Sequence, residues 1–289
     1  MPSLDYMHVD VFSDLAFSGN SLAVFYDCAD LSTEAMLRIT QELRHFETIF
    51  LRPTSDPALM QARIFDLFEE LPFAGHPILG AAAVLQYRSD SQDRKDWKFD
   101  LGGRTVSVEV EPTDGRLAAI LDQGVPAFID AEKNRRQVAQ AFSLDEVDLL
   151  SELPLEVVTT GLPYLVVPVT SDAIGRARVA FDLTNLVGYF GAQFAVLLDP
   201  EAMEIRHWNN DGIIEDVATG SAAGTIAAYC VKHGIRSAGA RIALAQGHRV
   251  GRPSRITAWR ELNDGPVKVA GGVSIVGEGR LYSSPGELA

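Results

Sequence analysis

Cysteine is scarce in this 289-residue chain, which holds only Cys28 and Cys230. Two thiols are too few for a disulfide framework or a four-ligand zinc site. Cys230 stands in the apolar run IAAYCV, and Cys28 precedes Ala29-Asp30 at a strand end, so both read as buried small hydrophobes. Basic charge is short as well: 25 Lys and Arg stand against 39 Asp and Glu, a formal net charge of −14. A nucleic-acid binder needs a basic face to displace counterions from phosphates, and an anionic membrane surface makes the same demand. Neither is expected as a partner. No apolar run reaches the length of about 18 residues that a membrane-spanning helix needs. The opening MPSLDYMHVDVF lacks the basic-then-apolar order of a signal peptide, so a soluble, cytoplasmic protein is expected. Gly-x-Ser-x-Gly, Walker A, His-Glu-x-x-His and zinc spacings are missing too. Gly277-Glu278-Gly279 is a piece of a dinucleotide fingerprint without its third glycine or a following helix. No metal and no cofactor is implied.

What the chain does have is core. Hydrophobic residues make up 47% and charged residues 22%, an ordinary globular composition, and the length suggests two domains. MHVDVF and SLAVFYD flank the turn signal Phe17-Ser18-Gly19-Asn20, which predicts a hairpin. Ser32 is placed to cap a helix over Thr33 to Leu43, with Ala35 as its third residue. Strands are expected around Thr48–Leu51, Ala62–Leu67, Thr105–Val110 and Leu117–Leu121, with a helix over Pro77–Tyr87. Val125 to Asn134 reads as a boundary. A helix over Arg135–Phe142 follows it, then strands at Leu155–Thr160, Leu165–Val169 and Phe194–Leu198. A helix comes after a Gly-rich turn at 220–224, and strands at Arg241–Ala245, Ser254–Trp259 and Val267–Ala270 end the pattern. Without strict βαβ alternation, this is α+β with mixed sheets.

Two segments share a plan. Glu70-Leu71-Pro72-Phe73-Ala74-Gly75-His76 runs into the apolar stretch Pro77 to Leu85, and Glu215-Asp216-Val217-Ala218-Thr219-Gly220-Ser221 runs into Ala222 to Val231. In each, an acidic residue lies five before a glycine, a polar residue follows the glycine, and a small-residue helix follows that. Gly75 and Gly220 stand 145 residues apart, half the chain. A weaker echo sets Glu47-Thr48-Ile49-Phe50 against Gly191-Ala192-Gln193-Phe194, at an offset of 144. Helices that are apolar nearly all round belong in the centre of a wrapping sheet. Their N-termini favour an anion, so two of them presented to one cleft would bind a carboxylate. The alternative is that both glycines are simply turn residues.

Glu47 carries the candidate chemistry. Set among Phe46, Ile49 and Phe50, its carboxylate would lose solvation, its pKa would rise, and it could take and return a proton near neutral pH. A solvated residue at a strand edge is the competing reading. Gly191 at the matching place of the second half leaves one proton-transfer group. His76 opens the first buried helix, where its imidazole could donate to a substrate anion. Ser221 holds the matching place in the second half, to bind or to cap. Of Glu215 and Asp216, one could bind an amine, although adjacent loop carboxylates are usually solvated. His45, His207, His233 and His248 are scattered and read as surface or capping residues.

At these residues the chain resembles the PhzF-like family of phenazine-biosynthesis isomerases, which share the diaminopimelate epimerase fold. The resemblance is carried by Phe17-Ser18-Gly19-Asn20 with Leu22-Ala23-Val24-Phe25, Glu47-Thr48-Ile49-Phe50, Glu70 to Pro77, Glu215 to Gly224, and Gln246-Gly247 with Gly251-Arg252-Pro253-Ser254. It implies two similar domains, each a mixed β-sheet barrel wrapped round a central apolar helix, with the active site in the cleft between them and a homodimer as the assembly. The expected domains are residues 1–124, with 278–289 returning to them, and 125–277. The resemblance also implies an enzyme without cofactor, which shifts a proton on a small amino or hydroxy carboxylic acid as trans-2,3-dihydro-3-hydroxyanthranilate isomerase does. Glu47 would be the acid/base, His76, Asp216 and Ser221 would position the substrate and assist proton movement, and Asn20, Gly75 and Gly220 would line the pocket. Racemases of this fold use two thiols, one after each half's turn. Here His76 and Ser221 follow Gly75 and Gly220, so a two-thiol racemase is excluded. The sequence departs from the family pattern at Phe65-Asp66-Leu67, at Ser21 and at His207-Trp208-Asn209, around the pocket and not at the proton-transfer residues. The expected reaction type is therefore kept and the substrate is left open. A small-carboxylate binding protein without turnover is the other reading.

Overall fold

The first helix, α1 (Thr33–Leu43), starts where Ser32 can cap it. In the computed structural model the Ser32 hydroxyl accepts from the Ala35 N–H at 3.2 Å, and the helix stops at Arg44, which turns into the left-handed region at φ 55°. Replacing Ser32 by alanine leaves that N–H without its side-chain acceptor, so Ser32→Ala should cost about 1 kcal/mol. A lowered denaturant midpoint with unchanged slope, and recovery in Ser32→Asp, would show it. The structure describes residues 3–28, 31–56, 59–113, 115–131 and 134–282.

Compact packing divides the chain into two units, Met1–Leu121 with Ala270–Ala289, and Asp122–Val269. The first contains β1 (Ser3–Val11), β2 (Asn20–Phe25), β3 (Glu47–Pro53), β4 (Leu59–Asp66), the short β5 (Glu70–Leu71), α2 (Gly75–Arg88), β6 (Lys95–Asp100), β7 (Thr105–Thr113) and most of β8 (Arg116–Gly124). The second contains β9 (Ala127–Asp130), α3 (Arg135–Ala141), β10 (Glu156–Thr159), β11 (Pro163–Pro168), α4 (Ser171–Arg176), α5 (Thr184–Tyr189), β12 (Phe194–Asp199), β13 (Glu204–His207), α6 (Gly220–Lys232), β14 (Ile242–Gln246) and β15 (Ser254–Arg260). The last strand, β16 (Val267–Tyr282), begins in the second unit and runs on through the first.

The strand order of the first unit is β1-β2-β3-β4-β6-β7-β8-β16, and β16 pairs back with β1, so the sheet closes into a ring. Within it α2 packs on β1, β2, β3 and β7. Every residue of α2 from His76 to Gln86 is buried, as its all-round apolar sequence requires. Gly80 makes the close approach possible, since a Cβ there would lie 2.4 Å from Leu22 Cδ2. On the outer face, α1 covers a second cluster built from Ala23, Phe25, Met36, Ile39, Phe50 and Phe65. The second unit orders its strands β9-β10-β11-β12-β13-β14-β15. Its helix α6 packs on β10, β11 and β15, and every residue from Gly220 to Cys230 except Ser221 is buried.

The two units repeat one pairing pattern. In the first, β16–β1 and β1–β2 are antiparallel, β2–β3 parallel, β3–β4 antiparallel, β4–β6 parallel and β6–β7 antiparallel. In the second, β9–β10 and β10–β11 are antiparallel, β11–β12 parallel, β12–β13 antiparallel, β13–β14 parallel and β14–β15 antiparallel. Each parallel pair needs a crossover, and the second crossover of each unit contains the buried helix, α2 or α6. The α+β architecture of mixed sheets is the one expected.

Several local expectations change. Residues 125–134, read as a boundary, carry β9, which pairs with β10. The glycines at 220–224 do not precede the helix, because α6 begins at Gly220. The final strand runs on to Tyr282 and absorbs Gly277-Glu278-Gly279 opposite His8, Met7 and Tyr6. The unit boundaries fall at 121/122 and 269/270, where 124/125 and 277/278 were expected, because β8 and β16 continue straight through them. Of the returning segment, residues 283–289 lie outside the described residues. Strand β6 went unseen because KDWKFD carries charge on its outer face, and only Trp97 and Phe99 point inward.

Candidate functional site

Glu47 is the first residue of β3, on the rung it shares with Leu22 of β2 in the parallel pair. Side chains alternate along a strand, so Glu47 shares the α2-facing side with Ile49, and Asn20 shares it with Leu22. His76 is the second residue of α2, and its Nδ1 lies 3.2 Å from Glu47 Oε2. The Glu47 side chain is 17% exposed and that of His76 8%. Ala74, the cap of α2, gives no side-chain hydrogen bond to the first turn. The first unit therefore brings Glu47, Gly75 and His76 together, with Asn20 buried at the same end of β2. The apolar surroundings differ from those expected. Phe46 is exposed, and Phe50 lies on the opposite face stacked on Phe25, leaving Ile49 beside the carboxylate.

In the second unit, Ser221 is the second residue of α6, after Gly220, and its Oγ lies 2.7 Å from the Tyr164 hydroxyl. Ser221 does not cap the helix, because Thr219 holds the cap position. Asp216 accepts a hydrogen bond from Thr219 Oγ1 at 2.5 Å and forms the turn that leads into α6. Gln246 fixes that turn: its Oε1 accepts from Thr219 N–H at 2.8 Å, and its Nε2 donates to the Asp216 carbonyl at 3.0 Å. Gly247 permits the approach, since a Cβ there would lie 2.3 Å from the Arg252 carbonyl oxygen and 2.6 Å from that of Val217. Among the described residues, no group of three or more His, Cys, Asp or Glu is placed to hold a metal ion.

The acidic residue five before each glycine proves to be architectural. Glu70 takes a bidentate hold from Arg63, at 2.7 and 2.5 Å, and Glu215 takes the same hold from Arg206, at 2.8 and 2.7 Å. Each arginine also lies over the ring two residues on, Phe65 or Trp208. These matched pairs fix the true correspondence of the halves. Phe50 pairs with Arg63 and Leu197 with Arg206, so Glu47 corresponds to Phe194, and the echo with Gly191 was three residues out of register. Gly191 precedes β12 in the left-handed conformation, at φ 77°. The asymmetry stands on a different residue: an aromatic ring occupies the place of the carboxylate.

Asp66, a departure from the family pattern, sits opposite Glu47 on β4, and its Oδ1 accepts from the N–H groups of Phe68 and Glu69 at 2.7 Å each. His207, expected as a surface or capping residue, is buried, 6% exposed, between the Tyr164 and Phe194 rings. Its Nδ1–H donates to the Ala195 carbonyl at 2.9 Å. Burial pushes its pKa below the ordinary 6.5, against the attraction of Asp216 and the hydrogen bond to Ala195. Below about pH 6.5 the unfolded chain takes up a proton that the folded chain refuses. Stability should therefore fall as pH drops through that region, by up to about 1.4 kcal/mol per pH unit until the folded pKa is reached. A melting temperature followed from pH 7.5 to 5.5 should show this fall, and His207→Gln should flatten it. Burial likewise pushes both thiols, Cys28 and Cys230, up to about 12, so neither is a thiolate at neutral pH.

A family model for phenazine biosynthesis-like proteins matches residues 9–279. The trans-2,3-dihydro-3-hydroxyanthranilate isomerase of Pseudomonas aeruginosa is 34% identical, over 96% of this chain and 99% of its own. Among solved structures, a predicted epimerase from Pseudomonas aeruginosa matches with a TM-score of 0.90 at 43% identity, covering 97% of this chain and 100% of that one. A PhzF-family protein of Bacillus anthracis shares the fold at a TM-score of 0.85 and 22% identity, over 98% of this chain and 100% of its own. The fold extends to a hydroxyproline epimerase of Agrobacterium vitis, with a TM-score of 0.61 at 12% identity over 96% of this chain and 92% of that one.

Proposed function

The chain belongs to the PhzC-PhzF family of phenazine biosynthesis-like proteins and is an isomerase by its relatives, and from there we propose that Glu47 moves a proton between carbons of a small amino or hydroxy carboxylic acid. The observation that carries the reading is the contact of Glu47 Oε2 with His76 Nδ1 at 3.2 Å, on a carboxylate only 17% exposed. Glu47 takes a proton from an acidic C–H, becomes the neutral acid, and returns the proton to a second carbon of the same substrate. His76 holds the carboxylate in one orientation, which a proton shuttle needs at both ends of its transfer. No cofactor enters the proposed chemistry. Substrates of the trans-2,3-dihydro-3-hydroxyanthranilate type, on which the Pseudomonas aeruginosa relative acts, are the first class to examine.

Binding of the carboxylate is assigned to the helix starts. The first-turn N–H groups of α2 and α6 receive no side-chain cap, and the positive end of a helix dipole attracts an anion locally although the chain as a whole carries −14. Gly75 and Gly220 open the two helices, and Asn20, Asp216 and Ser221 are assigned to substrate binding. The buried, neutral thiols support proton transfer by a carboxylate over transfer by paired cysteines. We also assign a homodimer in the cytoplasm, which sedimentation and fractionation would check. No helix among the described residues is long and apolar enough to cross a membrane.

The reading is tested by incubating the protein with trans-2,3-dihydro-3-hydroxyanthranilate in deuterated water and following product and deuterium content. Isomerised product is the expected result. Binding seen by calorimetry with neither product nor exchange at carbon would replace the enzyme by a carboxylate-binding protein.

A further inference from the structure

The rung Leu22–Glu47 of β2 and β3 corresponds to the rung Tyr164–Phe194 of β11 and β12. In the first unit the polar side chain of the rung stands on the second strand and meets His76, the second residue of α2. In the second unit it stands on the first strand, as Tyr164, and meets Ser221, the second residue of α6. The two halves thus solve one problem with different chemistry. Each ties the residue after the helix-opening glycine to a proton-bearing group from the same rung of its own sheet.

The Tyr164 ring has little freedom. It is 2% exposed, tilted against Phe194 at 5.5 Å and edge-on to His207 at 5.5 Å. His207 is itself tied to the Ala195 carbonyl, so the hydroxyl that meets Ser221 Oγ at 2.7 Å comes from a braced ring. A phenol, with a pKa of about 10, is a stronger acid than an aliphatic alcohol, and the better donor in such a pair is the phenol. With Tyr164 donating, the Ser221 oxygen accepts, and its own O–H is turned away from Tyr164. At the start of α6, that hydrogen joins the N–H groups of the first turn as one more donor.

We propose that Tyr164 is a positioning residue: by donating to Ser221 Oγ it holds the Ser221 hydroxyl as a hydrogen-bond donor to an anionic oxygen of the substrate, its carboxylate. The proposal rests on the assignment of Ser221 to substrate binding made above, and it adds the direction of the bond and the residue that sets it. A fixed donor stabilises the bound carboxylate alike before and during reaction, so its loss should appear in binding and not in turnover.

Two readouts test it, one independent of turnover. Calorimetry with 2-aminobenzoate, a stable aromatic amino carboxylate, should show Tyr164→Phe binding about five- to tenfold more weakly than the unaltered protein. Removing the hydroxyl in a Ser221→Ala background should cost nothing further, because the two residues act as one unit. With trans-2,3-dihydro-3-hydroxyanthranilate, KM should rise by the same factor while kcat stays within about twofold. Equal losses in both backgrounds, or binding unchanged by Tyr164→Phe, would overturn the proposal. If 2-aminobenzoate binds with the expected coupling but no substrate is turned over, the isomerase reading fails and the role of Tyr164 stands. A readout that leaves Tyr164 in place guards against a misfolded variant. In protein labelled with 13C-tyrosine, the Tyr164 ζ-carbon resonance should move on adding 2-aminobenzoate to the unaltered protein and not to Ser221→Ala; its failure to move in the former is an overturning result.

Discussion

Glu47→Gln is expected to slow isomerisation by about 10²- to 10⁴-fold, the range for losing a positioned acid/base, with the fold retained. The substitution keeps the shape of a side chain that opens β3 and removes only its capacity to accept and return a proton. No second carboxylate can take over from the matching position, because the second unit places Phe194 there. The neighbouring carboxylate, Asp66, is occupied by two turn N–H groups. His76→Gln should cost less, about tenfold, since the role proposed for His76 is to orient the proposed base, and its loss leaves that carboxylate in place. The comparison is made on kcat with trans-2,3-dihydro-3-hydroxyanthranilate, alongside deuterium uptake at the substrate carbons. A Glu47→Gln protein that isomerises and exchanges at the unaltered rate would remove Glu47 from the chemistry.

The repeat was legible where local sequence determines structure. Glycine followed by a small-residue apolar stretch gives a buried helix start, and Gly75 and Gly220 were placed correctly as matched openings 145 residues apart. The counterpart of Glu47 was not legible, because strand register is set by pairing between segments distant in the chain and not by the strings themselves. Two short strings agreed at an offset of 144, yet Phe50 opposite Arg63 and Leu197 opposite Arg206 set the offset at 147. The acidic residue before each glycine was part of the repeat, and its role as a strut was not legible, since its arginine lies on the preceding strand, β4 or β13, out of sight of any local pattern. Tyr164 gave no signal at all. A tyrosine in an apolar strand reads as core, and its significance appears only when the rung it occupies is matched with that of Glu47.

The matched struts make the largest expected difference in stability between two chemically identical changes. Removing Glu215 should cost about 3–5 kcal/mol, the cost of leaving a buried charge without its partner. The Arg206 side chain is 3% exposed and that of Glu215 11%, so water has little access to the guanidinium left behind. Arg206 would keep its bonds to the Ile174 and Ala177 carbonyls at 2.7 and 3.1 Å and its place over the Trp208 ring, which hold the charge in position without neutralising it. Glu70→Ala in the first unit should cost about 1 kcal/mol or less, because Arg63 and Glu70 are 33% and 38% exposed and water can replace the carboxylate. Arg63 also retains Thr33 as an acceptor at 2.8 Å. Urea unfolding of Glu215→Ala and Glu70→Ala, with Trp208 fluorescence reporting on the second unit, measures both. Equal midpoint shifts would mean that burial does not decide the cost. Replacing both members of the buried pair, as Arg206→Met with Glu215→Leu, should recover most of the loss, since an apolar pair leaves no buried charge to compensate. That recovery would separate the stability of the turn leading into α6 from the proton chemistry proposed for Glu47, which has no part in it.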